Sequence, residues 1–473
     1  MENVALYNEK SLSALVRAIA LSQGNFKLIL ARSNYGALRD RMVQRLRELS
    51  PVEIRELVLP KSVESLYTAI QAELGDEVSC RGDAPVLALM VFGLESVTNI
   101  KTVLKTSNYI REEFSKHFPF PVVLWVDDEV LKKLLRLAPD FESWATSFEF
   151  KLTTDELLDF LRQKTDEIFA GDLTPCQANC FEVEAACQDL QRRGQGLEPY
   201  LGASLEFVRG LDDFAGDHID VALEHYQKSL TFWRQNKHLE RQGISLTYIA
   251  LAYSCKAKLN RTESQQSWAE SRHYLQQGID AFEQAQRLDL VSKYISKLGE
   301  VLRRLQAWEQ LQVLAGKALT VHQGDSRQLA QDYGFLAEVA LEQSNWNEAH
   351  QLAQQALQIL DKIPNLQPYE QGLYWFLLAR SQRHLGQVQE AITNLEQARQ
   401  ESKSEYNPEL YIDILRELRS LYFEQSKYLA AFRIKQEQLQ VEHQYDFRAF
   451  IGAGYLLPKR HSVNPALEQV ELQ

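Results

Sequence analysis

Tyr333-Gly-Phe-Leu-Ala337, followed by Ala340, Ala349, Ala353 and Ala356, and Trp375-Phe-Leu-Leu-Ala379, followed by Ala391, Leu395 and Ala398, state one pattern twice. An aromatic residue and a leucine precede a small residue on one helix, and further small residues follow at helical spacing on the next. Alanine and glycine at such points let helix backbones approach, while leucine and aromatic side chains fill the gaps between neighbouring pairs. Gln343-Ser-Asn-Trp-Asn-Glu-Ala349 and Leu385-Gly-Gln-Val-Gln-Glu-Ala391 read as the turns inside two such pairs. The same small position recurs at Gly210, Ala250, Gly299, Ala337, Ala379 and, in a poorer last unit, Arg419, at steps of 40, 49, 38, 42 and 40 residues. Gly299 with Ala315 and Ala318 fits in part, as does Gly210 with Ala222 and Tyr226. A period of this order marks a helical-repeat array, because no unit buries its apolar face alone.

The pattern resembles the tetratricopeptide repeat, although its steps are longer than the ~34 residues of the standard unit. The resemblance implies an all-α superhelix over residues 201–444 whose concave side is lined by the first helix of each pair and takes a protein or peptide. Tyr248, Arg303, Arg304, Tyr374, Arg380 and Arg383 fall at exposed first-helix positions and are the candidate partner-binding residues, since arginine and tyrosine are favoured interface anchors. Several of them converging would suit an acidic peptide. Taken singly, each reads equally as a solvated or packing residue.

Residues 1–152 carry a different signature, short apolar runs alternating with amphipathic stretches of helix length, which predicts an α/β domain with a parallel sheet. Strands are expected at Phe26–Ala31, Ile54–Leu59, Val86–Phe92, Val122–Val126 and Phe148–Leu152. Helices are expected at Ser11–Ser22, Ala37–Leu49, Val63–Leu74, Asn108–His117 and Asp128–Leu137. The first strand feeds a helix where a nucleotide-binding protein carries Gly-x4-Gly-Lys-Ser/Thr, but the frame reads Ala31-Arg-Ser-Asn-Tyr-Gly-Ala-Leu38. Only the second glycine, Gly36, is kept. Ala37 stands for the phosphate-binding lysine and Leu38 for the magnesium-binding hydroxyl, so phosphoryl transfer loses its electrostatic support. Glu95, after the apolar run ending at Phe92, echoes a magnesium-binding acid and reads equally as a solvated loop residue. Asp127 or Asp128 is expected to cap the helix that follows. In Ala138-Pro-Asp-Phe141 and Trp144, Pro139 ends a helix, Asp140 is a candidate cap, and Phe141 and Trp144 are expected to pack in the core.

Phe26-Lys-Leu-Ile-Leu-Ala31, Phe120-Pro-Val-Val-Leu-Trp-Val126 and Leu137-Ala-Pro-Asp-Phe-Glu-Ser-Trp144 resemble the N-terminal region of cyanobacterial tetratricopeptide-repeat proteins. Those regions are similar to the P-loop core of STAND-class signalling ATPases. The resemblance implies a degenerate P-loop-NTPase-like domain over residues 1–152, with no nucleotide-binding residue carried over beyond the weak candidates Gly36 and Glu95. A helical connector is expected at 153–200, the repeats at 201–444, and a tail at 445–473. The tail resembles the linker that leads, in longer relatives, into an active ATPase module, which a chain stopping at Gln473 is expected to lack.

Composition narrows the function classes. Against 64 acidic residues stand 52 basic ones, a net charge of -12 that opposes nonspecific attraction to nucleic acid or anionic membrane. Apolar runs such as 86–94 fall short of the ~20 residues a bilayer needs, so a cytoplasmic protein is expected. Cys176, Cys180 and Cys187 lack zinc-knuckle spacing and a nearby histidine, and read as helix thiols rather than a metal site. His322, His350 and His384 are expected at helix ends or faces, where solvent suffices. No catalytic motif is found. The reading is a non-enzymatic protein-interaction scaffold without cofactor, the sensing or assembly part of a STAND-type signalling or defence system. The alternative is a switch that binds nucleotide without hydrolysing it.

Overall fold

Strands that are apolar on both faces need helices on both faces, and the N-terminal sheet is built around two of them. The computed structural model describes residues 4–74, 87–171, 177–260 and 262–445 of the chain. Its five strands are β1 (Lys27–Arg32), β2 (Glu53–Val58), β3 (Leu87–Phe92), β4 (Pro121–Val126) and β5 (Ala145–Glu149). They form one parallel sheet in the order β2-β3-β4-β1-β5. Every residue of β4 is buried, whereas the edge strands β2 and β5 are only partly so. Leu28, Leu30, Leu89, Val91, Val122 and Leu124 pack with Phe114, Phe118 and Phe141 in one core. Ile29, Ala31, Met90, Val123 and Trp125 are buried as well.

The covering helices are α1 (Val4–Leu21), α2 (Gly36–Leu49), α3 (Leu66–Leu74), α4 (Ile100–Tyr109), α5 (Arg111–His117), α6 (Asp128–Leu137) and α7 (Pro139–Glu142). Asp127 caps α6, its carboxylate accepting from the Val130 N–H at 2.6 Å. Several expectations need correction. The helix expected at Asn108–His117 is two helices that meet at Ile110, and α4 reaches back to Ile100. β5 starts three residues earlier than Phe148, because the alternating apolar residues Phe150 and Leu152 are buried beyond the strand's end. Asp140 caps nothing: Ala138 holds the N-cap position of α7, and Asp140 accepts from the Asn108 amide at 3.3 Å. Phe141 is in the core, whereas Trp144 is 36% exposed and leans edge-on to Phe26.

Contacts divide the chain into two compact units, Met1–Val208 and Arg209–Gln473. The connector helices α8 (Thr154–Ala170) and α9 (Gln177–Arg192) pack on each other in the first unit. A capping box starts α8, with Thr153 and Glu156 each accepting from the other's backbone. Then come α10 (Pro199–Ala215), α11 (Ile219–Gln235), α12 (Leu239–Leu259), α13 (Ser264–Gln284), α14 (Leu288–Arg304), α15 (Trp308–Val321), α16 (Ser326–Glu342), α17 (Trp346–Leu360), α18 (Gly372–His384), α19 (Val388–Glu401), α20 (Pro408–Glu424) and α21 (Tyr428–Gln444). From α11 onward each helix packs on the next, and α16 also touches α14 and α18. The second unit is therefore a stack of helix pairs. The long step between Ala250 and Gly299 arises because α12 and α13 run to 21 residues each. The expected tail after Tyr445 lies outside the described residues.

The repeat period has a local cause in the backbone. Asp217, Gln306, Ser344, Gly386 and Ser426 have positive φ, and they stand seven residues after Gly210, Gly299, Ala337, Ala379 and Arg419 respectively. In each turn the following N–H reaches the carbonyl five residues back, as from Ala307 to Leu302 at 2.9 Å, Asn345 to Ala340 at 2.8 Å and Gln387 to Gln382 at 2.9 Å. This is the Schellman bond that ends a helix through a left-handed residue. Only Gly386 among the five takes that conformation without steric cost. Gly386→Ala is accordingly expected to destabilise the array by about 1 kcal/mol and Ser344→Gly to stabilise it by up to about 1 kcal/mol. Denaturant midpoints moving in the same direction for both would contradict this account of the turns.

Candidate functional site

In the first unit, the helix N-terminus that the sequence singled out for a phosphate loop meets a side chain of the same unit. The loop after β1 leads into α2, whose first N–H, on Gly36, donates to Glu182 Oε1 of α9 at 2.9 Å. The positive end of a helix attracts an anion, and here that anion is a carboxylate of the same unit. Tyr35, buried beside it, donates its hydroxyl to Asp189 Oδ2 at 2.7 Å, and burial together with that bond pushes the phenol's ionisation up. Leu38, in the frame of the magnesium-binding hydroxyl, is 1% exposed and belongs to the apolar interior. The basic group at the end of β1, Arg32, is committed to Asp128 and, at 3.0 Å, to Glu149. Burial works against the Asp128 carboxylate, but Arg32 overrides it and holds its pKa below the usual range. Glu95, the other weak candidate, is no free ligand either, since it pairs with Arg39 at 2.9 Å. Burial raises the neighbouring Asp127, with the Val130 N–H only partly offsetting it.

In the second unit, α14, α16 and α18 come together around a cavity of about 270 Å³. Glu300, Arg327, Gln331, Glu338, Glu370 and Tyr374 line it with polar groups, and Phe335, Leu360 and Leu373 with apolar ones. The array curves strongly enough for Arg304 at the end of α14 to pair with Glu409 at the start of α20. Arg303 pairs with Glu300 at 2.5 Å and with Glu338 at 3.5 Å. Arg380 meets Glu342 at 3.5 Å, and Arg383 is held by Glu417, by Glu424 at 2.5 Å and by Ser420 Oγ at 3.1 Å. Each of the four arginines singled out in the sequence is thus paired with a carboxylate. The excess of basic groups that an acidic peptide needs is not there.

Tyr374 was expected at an exposed position and is instead 7% exposed. The reason is Gly334 on the preceding first helix: a Cβ there would lie 2.7 Å from the Tyr374 ring, so the glycine makes room for the tyrosine to sink. Gly299 does the same for Phe335, at 2.5 Å. Tyr248 is likewise half-buried, its ring 5.9 Å from that of Tyr226, and burial pushes its hydroxyl's ionisation up.

A second correction concerns His322, expected at a solvated helix end and in fact 1% exposed. Its Nδ1 lies 2.6 Å from Asp332 Oδ2 and its Nε2 3.0 Å from the Ser292 carbonyl. A carbonyl only accepts, so Nε2 carries a proton, and an ionised Asp332 takes a second from Nδ1. Burial opposes the charge, but Asp332 and the carbonyl outweigh it and raise the imidazole's pKa. No sequence motif marks the pair. His350 lies 3.4 Å from Ser381 Oγ, and His384 stacks on Trp346 at 3.9 Å. Cys187 is buried and Cys255 half-buried, while the Cys176 and Cys180 side chains lie outside the described residues. Among the described residues no group of three or more His, Cys, Asp or Glu side chains could hold a metal, and no helix is long and apolar enough to cross a membrane.

No family model matches the chain. A WD repeat-containing protein of Synechocystis sp. is 29% identical over 294 residues, which cover 55% of this chain and 17% of that protein. The match thus spans about a sixth of the curated relative's length. Among solved structures, apo RapI aligns at 12% identity over 72% of this chain and 95% of its own, with a TM-score of 0.46. The apo quorum sensor NprR of B. thuringiensis aligns at 11% identity over 66% and 93%, with a TM-score of 0.40. A Podospora anserina kinesin light chain with tetratricopeptide-like repeats aligns at 18% identity over 41% and 96%, with a TM-score of 0.31. At TM-scores below 0.5 these likenesses add nothing to what the helix pairs of the chain itself establish: an α/β unit with a five-stranded parallel sheet, followed by stacked helical repeats.

Proposed function

We propose that the chain is a non-enzymatic scaffold that takes a protein or peptide on the inner face of a tetratricopeptide-like array, as the sensing or assembly part of a STAND-type system in the cytoplasm. The observation that carries this reading is the contrast between the two units. The cavity between α14, α16 and α18 is lined by polar and apolar groups together, the make-up of a recognition site. The loop after β1 has its helix N-terminus occupied by Glu182 and the arginine before it neutralised. The nucleotide-switch alternative has one point in its favour: β1 lies inside the sheet between β4 and β5, and open parallel sheets bind ligands beyond the carboxyl ends of such strands. Against it stand Glu182, Leu38 and the missing lysine. A degenerate P-loop-like domain is then a rigid partner of the connector rather than a switch.

The scaffold reading is tested with dodecapeptides selected on the full chain from a random display library. Added back, they should slow amide exchange in α14, α16 and α18. Slowing confined to residues 4–171 would place binding on the wrong unit and overturn the proposal.

A further inference from the structure

The cavity between α14, α16 and α18 holds more acceptor chemistry than its arginines use. Three of its lining residues are glutamates and one is an arginine. Glu370 is matched by Arg327 at 3.2 Å, and Glu300 by Arg303 at 2.5 Å and Arg304 at 3.4 Å. Glu338 is left with Arg303 alone, already shared and 3.5 Å away, although Glu338 is only 8% exposed. Burial accordingly drives its carboxyl up to about 7, a cost that Arg303 on α14 and Arg380 on α18 do not offset while Glu300 adds to it.

A second polar group lines the same cavity. Tyr374, 7% exposed, makes no hydrogen bond through its hydroxyl to any described residue, although it lines the same cavity. An unbonded phenol lining a cavity can accept from an occupant's N–H as well as donate to it. Phe335, Leu360 and Leu373 offer an apolar track beside these groups. An aliphatic stem with a cationic head fits both halves: the stem lies on apolar side chains while the head donates to carboxylate and phenol oxygens.

We propose that this cavity is the specificity pocket of the array and receives an arginine side chain from an extended segment of the partner protein, held by Glu338 and Tyr374. The inference rests on the scaffold reading above and gives it the opposite charge preference from the acidic peptide that the arginine-rich first helices suggested. Arginine is favoured over lysine because its planar fork can donate to two separated acceptors at once.

The test uses the full chain and a random dodecapeptide display library, followed by synthetic copies of the enriched peptides. Selected peptides should share an arginine, and replacing that arginine by neutral citrulline should weaken binding about tenfold or more, the scale of a charge-assisted hydrogen bond. On Glu338→Gln the citrulline penalty should largely vanish. Tyr374→Phe keeps the ring over Gly334 and should weaken the arginine peptide several-fold, which preserves the test if Glu338→Gln folds poorly. Peptides without a shared cation, or a citrulline penalty unchanged in both variants, would overturn the pocket while leaving the scaffold intact. A library that yields no binder would overturn the scaffold reading itself.

Discussion

Asp332→Ala should lower the unfolding midpoint of the repeat array by on the order of 10 °C, from about 3–5 kcal/mol of lost stability. Asp332 and His322 are both fully buried, one inside α16 and the other at the end of α15. Removing the carboxylate strands a protonatable ring whose Nε2 is already committed to the Ser292 carbonyl. Asp332 Oδ1 has no hydrogen-bond partner among the described residues, so the pair is imperfect, yet breaking it leaves a buried group far worse off than exchanging both partners would. The pair also fixes a sign. His322 has a raised pKa in the folded state, so its contribution is complete below about pH 6.5, the unfolded value, and is lost as the pH climbs through the folded value. Melting the wild-type chain and His322→Gln from pH 6 to 9 should therefore show the difference between them narrowing upward. A difference that widens with pH would mean that the ring is neutral when folded.

The second large effect belongs to the sheet. Trp125→Ala should cost the N-terminal unit about 3–5 kcal/mol, the usual range for emptying a buried tryptophan site. The indole is 1% exposed, stacks between Phe92 at 6.3 Å and Phe150 at 5.7 Å, and points its N–H at the Met90 sulfur at 3.4 Å. Its position in the central strand leaves little room for collapse around the cavity. Tryptophan fluorescence and the circular dichroism midpoint of the first transition report the loss; a shift under 1 kcal/mol would show that the face opposite the phenylalanine cluster is loosely packed.

How far the sequence disclosed all this depended on the range of each interaction. The repeat period was legible because glycine and alanine must stand where helices cross, and Gly299, Gly334 and Ala337 do so. The turns that enforce the period were hidden, because Gln306, Ser344 and Ser426 hold a left-handed conformation that their identities do not advertise. β4 could be read from its unbroken apolar run, but α4 could not: it buries only Val103, Leu104 and Ser107, too few to stand out from a loop. The departure from a phosphate-loop frame was visible in Ala37 and Leu38. That Glu182, 146 positions away, accepts from the Gly36 N–H was not, since nothing local ties a connector carboxylate to it. The arginines of α14 and α18 illustrate the same limit. Residue type marked Arg303, Arg304, Arg380 and Arg383 as candidates, but their charges are spent on carboxylates up to 105 positions distant.

On the proposed function the chain works through contact at its repeats and not through a nucleotide at its sheet. Melting the full chain with and without millimolar ATP, ADP or GTP and magnesium tests this most directly, because any ligand of the native state raises the midpoint by mass action. Midpoints unchanged within error are expected for every nucleotide. A rise of several degrees with any of them, abolished by a bulky residue at Gly36, would contradict the proposed function.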